Sequence, residues 1–146
     1  MDLAFGSNVR EHFYNIGRLS GLEADSLTRA VRSILVSPDG APADAAQRRP
    51  FAAVQAEHMD GDIELRDLPS DAQAPPGGAP VLLTPTTPLV RDGKRIGRVM
   101  GVEIDPATGR IAAVHARSHW WSPRLHLQAD TLDFSVSGEV RVGRVA

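Results

Sequence analysis

Three histidines in the last third of the chain, His115, His119 and His126, are the residues whose type and spacing most directly suggest chemistry. Neutral imidazole is a common metal ligand, and three of them would hold a divalent ion with one position left open. His115 and His119 share parity along the run that begins at Ile111, so a continuous strand would put both on one face. Two features weigh against a metal. No His-Glu-x-x-His motif accompanies the three, and His115 occupies a position that an earlier, similar segment fills with Leu35. The sequence therefore assigns His115 a half-buried packing role, and neither a metal ligand nor a cofactor is expected.

The stretch Arg117-Ser118-His119-Trp120-Trp121-Ser122-Pro123-Arg124 carries both tryptophans of the chain between two arginines. Trp and Arg dominate the energetics of protein interfaces, the first through desolvated area and the second through directional bonds to carboxylate or carbonyl groups. Adjacent side chains on a strand diverge, so two neighbouring tryptophans do not both bury on one face. One can cover the end of its own unit or the other copy, and the second needs another explanation, so the pair reads equally as inter-domain packing or as a partner or membrane-interface site. Trp120, Trp121, Arg117 and Arg124, with His119 alongside, are the expected contact patch for a protein partner.

Other constellations read as structure. Asp60-Gly61-Asp62-Ile63-Glu64 with Asp67 has the flavour of a calcium loop but lacks EF-hand spacing, and Asp60-Gly61 is better explained as a hairpin turn. Nucleophile elbow, phosphate loop and dinucleotide fingerprint are all missing from the sequence, and with no cysteine there is no thiolate chemistry and no disulfide. A non-catalytic protein is expected.

The elements that must position these residues come into view when the chain is laid over itself at an offset of 80 residues. Ile16 to Thr28 then lies over Ile96 to Thr108 with seven of thirteen positions identical: Ile16/96, Gly17/97, Arg18/98, Gly21/101, Glu23/103, Asp25/105 and Thr28/108. Chance would give about one match. Beyond it Val31 lies over Ile111 and Ile34 over Val114, so the chain reads as an internal duplication. Residues 1–67 and 81–146 form the two copies, and the Pro- and Gly-rich segment Leu68 to Pro80 reads as a linker. Units this small are marginal alone, so the copies are expected to pack on each other.

Within each copy the signals are for short strands between tight turns. The second offers Ile96 to Ile104, Ile111 to Ala116, Leu125 to Leu127, Leu132 to Val136 and Val140 to Val145; the first offers Leu19 to Ala24, Ala30 to Val36, Phe51 to Gln55 and Ile63 to Leu65. Gly17 and Gly97 are expected at bends, and a short helix fits Ala43 to Gln47. The repeated Asp25 and Asp105 suit turn starts, and the repeated Arg and Glu suit cross-strand pairing.

Asp92-Gly93-Lys94-Arg95-Ile96-Gly97-Arg98-Val99, followed by Val102-Glu103-Ile104-Asp105-Pro106-Ala107-Thr108-Gly109-Arg110-Ile111, resembles the PRC-barrel family, known from the reaction centre H subunit and a ribosome maturation factor. Leu127 to Asp130 and Ser137 to Val142 resemble its later segments. The first copy resembles it through Asn15 to Leu19 and Pro50 to Val54, but replaces the Thr-Gly turn with Thr28-Arg29 and lengthens the loop from Ser37 to Arg49. The resemblance implies an all-β protein of two tandem small antiparallel PRC-like β-barrels, packed as a pseudo-symmetric pair and acting through protein contacts. A module of that kind would present the Trp/Arg patch to a larger complex. A cap on a photosynthetic-type membrane complex and a small-ligand or metal sensor are the alternatives.

Charge bounds the partners. Residues 1–80 hold 7 basic and 12 acidic residues and residues 81–146 hold 9 and 6, so halves of −5 and +3 sum to the whole-chain −2. This balance argues against nucleic acid as a partner. The opposed halves can face each other within a chain or pair between chains as a homo-oligomer. Apolar runs are too short for a transmembrane segment or signal peptide, so a cytoplasmic protein is expected, peripheral to a membrane complex in the cap reading.

Overall fold

The computed structural model describes residues 1–12, 14–38, 47–57, 61–66, 80–119, 121–134 and 138–143. β-branched and aliphatic runs alternating with polar residues form strands throughout, and no α-helix occurs among the described residues. The strands are β1 (Asp2–Ala4), β2 (Asn8–Glu11), β3 (Tyr14–Asp25), β4 (Val31–Ser37), β5 (Gln47–Pro50), β6 (Val54–Glu57), β7 (Ile63–Leu65), β8 (Pro80–Leu83), β9 (Pro88–Arg91), β10 (Lys94–Ile104), β11 (Ile111–Arg117), β12 (Leu125–Gln128), β13 (Leu132–Asp133) and β14 (Val140–Val142).

They make two curled seven-stranded sheets of the same design. One runs β5-β4-β3-β2-β7-β6 with β8 added on β3; the other runs β12-β11-β10-β9-β14-β13 with β1 added on β10. The long central strands β3 and β10 show the same burial sequence over their first eleven residues. Their registers agree as well: Leu22 faces Ile34 as Val102 faces Val114, and the irregularities fall at matching places. The duplication seen in the sequence is thus a duplication of register, which is set by which side chains must face the core.

The repeated glycines have a concrete cause. A Cβ on Gly17 would stand 2.3 Å from the Ser37 carbonyl oxygen, and one on Gly97 would stand 2.9 Å from that of Arg117. Both lie where the pairing of the central strand with β2 or β9 shifts register, which is the bend expected at these positions. A Cβ on Gly21 or Gly101 would meet the carbonyl of Leu83 at 2.7 Å or Leu3 at 2.5 Å. Leu3 and Leu83 belong to the other half of the chain.

That crossing defines the architecture. β1 pairs antiparallel with β10, setting Asp2 opposite Glu103 and Leu3 opposite Val102. β8 pairs antiparallel with β3, setting Leu82 opposite Glu23 and Leu83 opposite Leu22. Each copy therefore lends its leading strand to the other's sheet, and Leu3 and Leu83 are fully buried there. Midway, Ala30 and Arg110 form an antiparallel bridge, with Val31 N donating to Gly109 O and Ile111 N to Arg29 O, both at 2.9 Å. Since 30 + 80 = 110, this bridge joins equivalent residues and marks a local two-fold axis. Buried side chains of both sheets form one hydrophobic cluster, so the sheets are not independent cores. Dividing the sequence at residues 67 and 81 cuts across both sheets.

Several sequence expectations change in detail. Pro80, placed in the linker by its neighbours, opens β8; residues 68–79 lie outside the described part. Phe51–Ala53 is a 3-10 turn leading into β6, in place of the start of a strand, and Ala129–Thr131 is its counterpart. Residues 43–46 of the expected helix lie outside the described part, and Gln47 begins β5. Val136 and residues 144–145, the expected ends of the last two strands, also lie outside it.

Turns follow local chemistry. Asp25 Oδ1 accepts from the amides of Leu27 (2.8 Å) and Thr28 (3.0 Å), and Asp105 Oδ1 accepts from that of Ala107 (2.9 Å), as their turn-starting role requires. Asp25 is also buried against Arg32 at 2.8 Å. Asp92 and Gly93, with φ of 51° and 76°, close the β9–β10 hairpin. Arg29 (φ 64°) stands where the second copy has Gly109 (φ 70°), so the departure from Thr-Gly keeps the left-handed turn at a conformational cost. No helix of the described residues is long and apolar enough to cross a membrane.

Candidate functional site

The connection from β11 to β12 carries the residues singled out as a contact patch. Arg117 ends β11 and is half-buried, while Ser118 and His119 leave the strand. Ser122 N donates to His119 O at 3.0 Å, and Ser118 Oγ donates to Ser122 Oγ at 2.9 Å, closing a compact loop. Its geometry lays the His119 ring on the Trp121 indole, with centroids 4.6 Å apart and planes within 8° of parallel. Trp121 is nonetheless 66% exposed. Arg124, also exposed, stands just before β12. Trp120 lies outside the described residues. The structure thus brings His119 and Trp121 together, with Arg117 and Arg124 near the two strand ends.

The three histidines part company. His119 belongs to the loop because β11 ends at Arg117, and the shared parity with His115 ends with the strand. His115 and His126 are instead direct cross-strand partners on β11 and β12, with ring centroids 5.1 Å apart. Gly101 lies opposite His115 on β10, and the neighbouring Glu103 reaches the same face. His126 Nε2 is 2.9 Å from Glu103 Oε2, and His115 Nε2 is 3.5 Å from Asp2 Oδ1. One donor atom from each of Glu103, His115 and His126 lies within 4.8 Å of the other two. His115 is half-buried, as expected, and its buried Nδ1 has no hydrogen-bond partner.

Glu103 and Asp2 were not among the residues the sequence singled out for chemistry. Glu103 gave a signal, being one of the repeated positions, but repetition pointed to structure. Asp2 gave none, because its place beside Glu103 depends on β1 crossing into the other sheet. Glu23, the first-copy equivalent of Glu103, takes Arg48 from β5 as its ion-pair partner. Each glutamate has a partner on another strand, Arg48 for Glu23 and His126 for Glu103, whereas the repeated arginines stand in register opposite Ser37 and Arg117.

Beside β12 an open groove runs between His126 and Gln128 on one side and Arg91 and Val142 on the other. It is lined by both polar and apolar atoms. The second sheet therefore presents two chemically distinct surfaces: an aromatic loop suited to contact, and an imidazole–carboxylate cluster suited to holding a cation. No family model matches the chain, and no curated protein matches it.

Proposed function

We propose that this protein is a non-catalytic binding module in which a tandem of PRC-like barrels, coupled by exchanged strands, presents the β11–β12 loop to a protein partner. The exposure of Trp121 carries the reading. A tryptophan two-thirds exposed forgoes burial worth about 2–3 kcal/mol, and its stacking on His119 holds the ring in one orientation. Preorganised, amphipathic and flanked by arginine, such a ring has the character of an interface anchor.

The scaffold supports the same reading. Exchange of β1 and β8 ties both copies into one cluster, so a load on the loop is borne by the whole molecule. The first copy joins β4 to β5 through residues 38–46, with no aromatic residue, so the contact surface belongs to the second copy alone.

Affinity capture with Trp121→Ala compared against wild type tests the proposal, with folding of the variant confirmed by its far-UV spectrum and melting. A partner retained by wild type and reduced at least tenfold by Trp121→Ala is the expected outcome, corresponding to a loss of about 1.4 kcal/mol or more. The same partner held equally by both proteins would remove the loop from the interface.

A further inference from the structure

Beyond the contact loop, we infer that Glu103, His115 and His126 form a surface site for a divalent zinc-class metal ion, with Asp2 supporting His115 from the exchanged strand.

The first copy provides the internal control. Register fixes the equivalences: Leu82 opposes Glu23 as Asp2 opposes Glu103, and Leu35 opposes Arg48 as His115 opposes His126. In the first copy these positions hold an Arg48–Glu23 ion pair beside two leucines. If the second copy needed only a cross-strand partner for its glutamate, the His126–Glu103 hydrogen bond would supply it without any change from leucine at positions 2 and 115. Instead both carry groups able to serve a metal. His115 also leaves a buried ring nitrogen unpartnered, which costs about 1–3 kcal/mol and which a leucine would avoid.

Donor chemistry selects the ion. Two imidazoles and a carboxylate, with no thiolate, suit borderline ions such as Zn²⁺, Co²⁺ or Ni²⁺, whereas Mg²⁺ and Ca²⁺ prefer all-oxygen shells. Tetrahedral donors around zinc stand about 3.3 Å apart. The observed donor atoms lie within 4.8 Å of one another, so none of the separations needs to close by more than about 1.5 Å to reach that spacing. Glu103 and His126 have side chains 42% and 45% exposed, so they are free to make the adjustment. Three ligands leave the fourth position to water or to a donor from a partner. Asp2, facing His115 Nε2, places a carboxylate behind a ligand imidazole, an arrangement that orients the ring.

The test is calorimetric titration of the tag-free full chain, stripped of metal with a chelator, with Zn²⁺ and separately with Mg²⁺. The expected result is one Zn²⁺ bound per chain and no Mg²⁺ heat. The His115→Leu/His126→Arg double variant installs the residues that the first copy already accommodates, and affinity should fall at least 100-fold. His126→Gln, on an exposed side chain, serves as a second variant should the double substitution disturb folding, and should also weaken binding at least tenfold. Asp2→Asn should weaken it about tenfold, the range typical of a supporting carboxylate. Absence of zinc binding by the wild type would overturn the proposal. So would undiminished binding by the folded double variant, or loss of binding on His119→Ala, which would place the ion in the loop.

Discussion

At four matching register positions the two sheets carry Glu23, Leu35, Arg48 and Leu82 in one and Glu103, His115, His126 and Asp2 in the other. The backbones that hold them share strand order, bends and pairing. What differs is the chemistry on one face: a carboxylate neutralised by arginine beside apolar side chains, against two imidazoles between two carboxylates. The same holds for the loops that follow, since nine residues without an aromatic (38–46) correspond to seven containing both tryptophans (118–124). Duplicated registers are constrained by a shared core, and the outward face and the loops are where the copies can diverge.

The largest expected effect tests whether the sheets are as equivalent as their registers. Leu3→Ala and Leu83→Ala each remove a fully buried side chain from an exchanged strand and should cost about 2–5 kcal/mol in urea unfolding. Because both sheets share one hydrophobic cluster, each variant should unfold in a single transition. If Leu3→Ala produced a biphasic curve with one sheet persisting, the exchanged strands would not couple the halves.

A smaller effect sharpens the comparison at the bends. Gly17 has φ 148° and its Cβ position lies 2.3 Å from Ser37 O, whereas the Cβ position of Gly97 lies 2.9 Å from Arg117 O without a left-handed φ. Gly17→Ala should therefore destabilise by about 3 kcal/mol, and Gly97→Ala by about 1–2 kcal/mol, from overpacking. Equal losses measured by thermal melting would show that the two bends relax alike and that the difference in approach has no energetic weight.

These glycines also show what was legible in the sequence. Self-alignment found the duplication, and local chemistry correctly placed the bends at Gly17 and Gly97 and the turns at Asp25 and Asp105, because such features depend on neighbouring residues. The exchange of β1 and β8 was not legible. Three- and four-residue strands carry too little pattern, and their partners lie about 60 to 100 residues away. The imidazole cluster was hidden for the same reason. Parity joined His115 to His119, but the strand ends at Arg117, and the true neighbours come from β10, β12 and β1. The Trp121 loop was visible as a composition anomaly, and its stacking on His119 followed from the loop's closure, which sequence spacing does not specify.

The smallest effect lies at the axis. Arg29 and Gly109 occupy equivalent left-handed positions whose carbonyls accept, across the Ala30–Arg110 bridge, from Ile111 N and Val31 N. A Cβ on Gly109 would approach nothing closer than Phe51 at 3.7 Å, so Gly109→Arg meets conformational cost alone. It should lower stability by about 0.5 kcal/mol, and Arg29→Gly should raise it by about as much, since at both positions glycine's larger unfolded-state entropy offsets part of the left-handed strain. The double exchange then returns close to wild-type stability, provided the two sides of the axis are energetically interchangeable. A double variant less stable than the sum of the singles by more than about 0.5 kcal/mol would show coupling through the bridge. The axis would then be a place where the copies, alike in backbone, had already adjusted to each other's side chains.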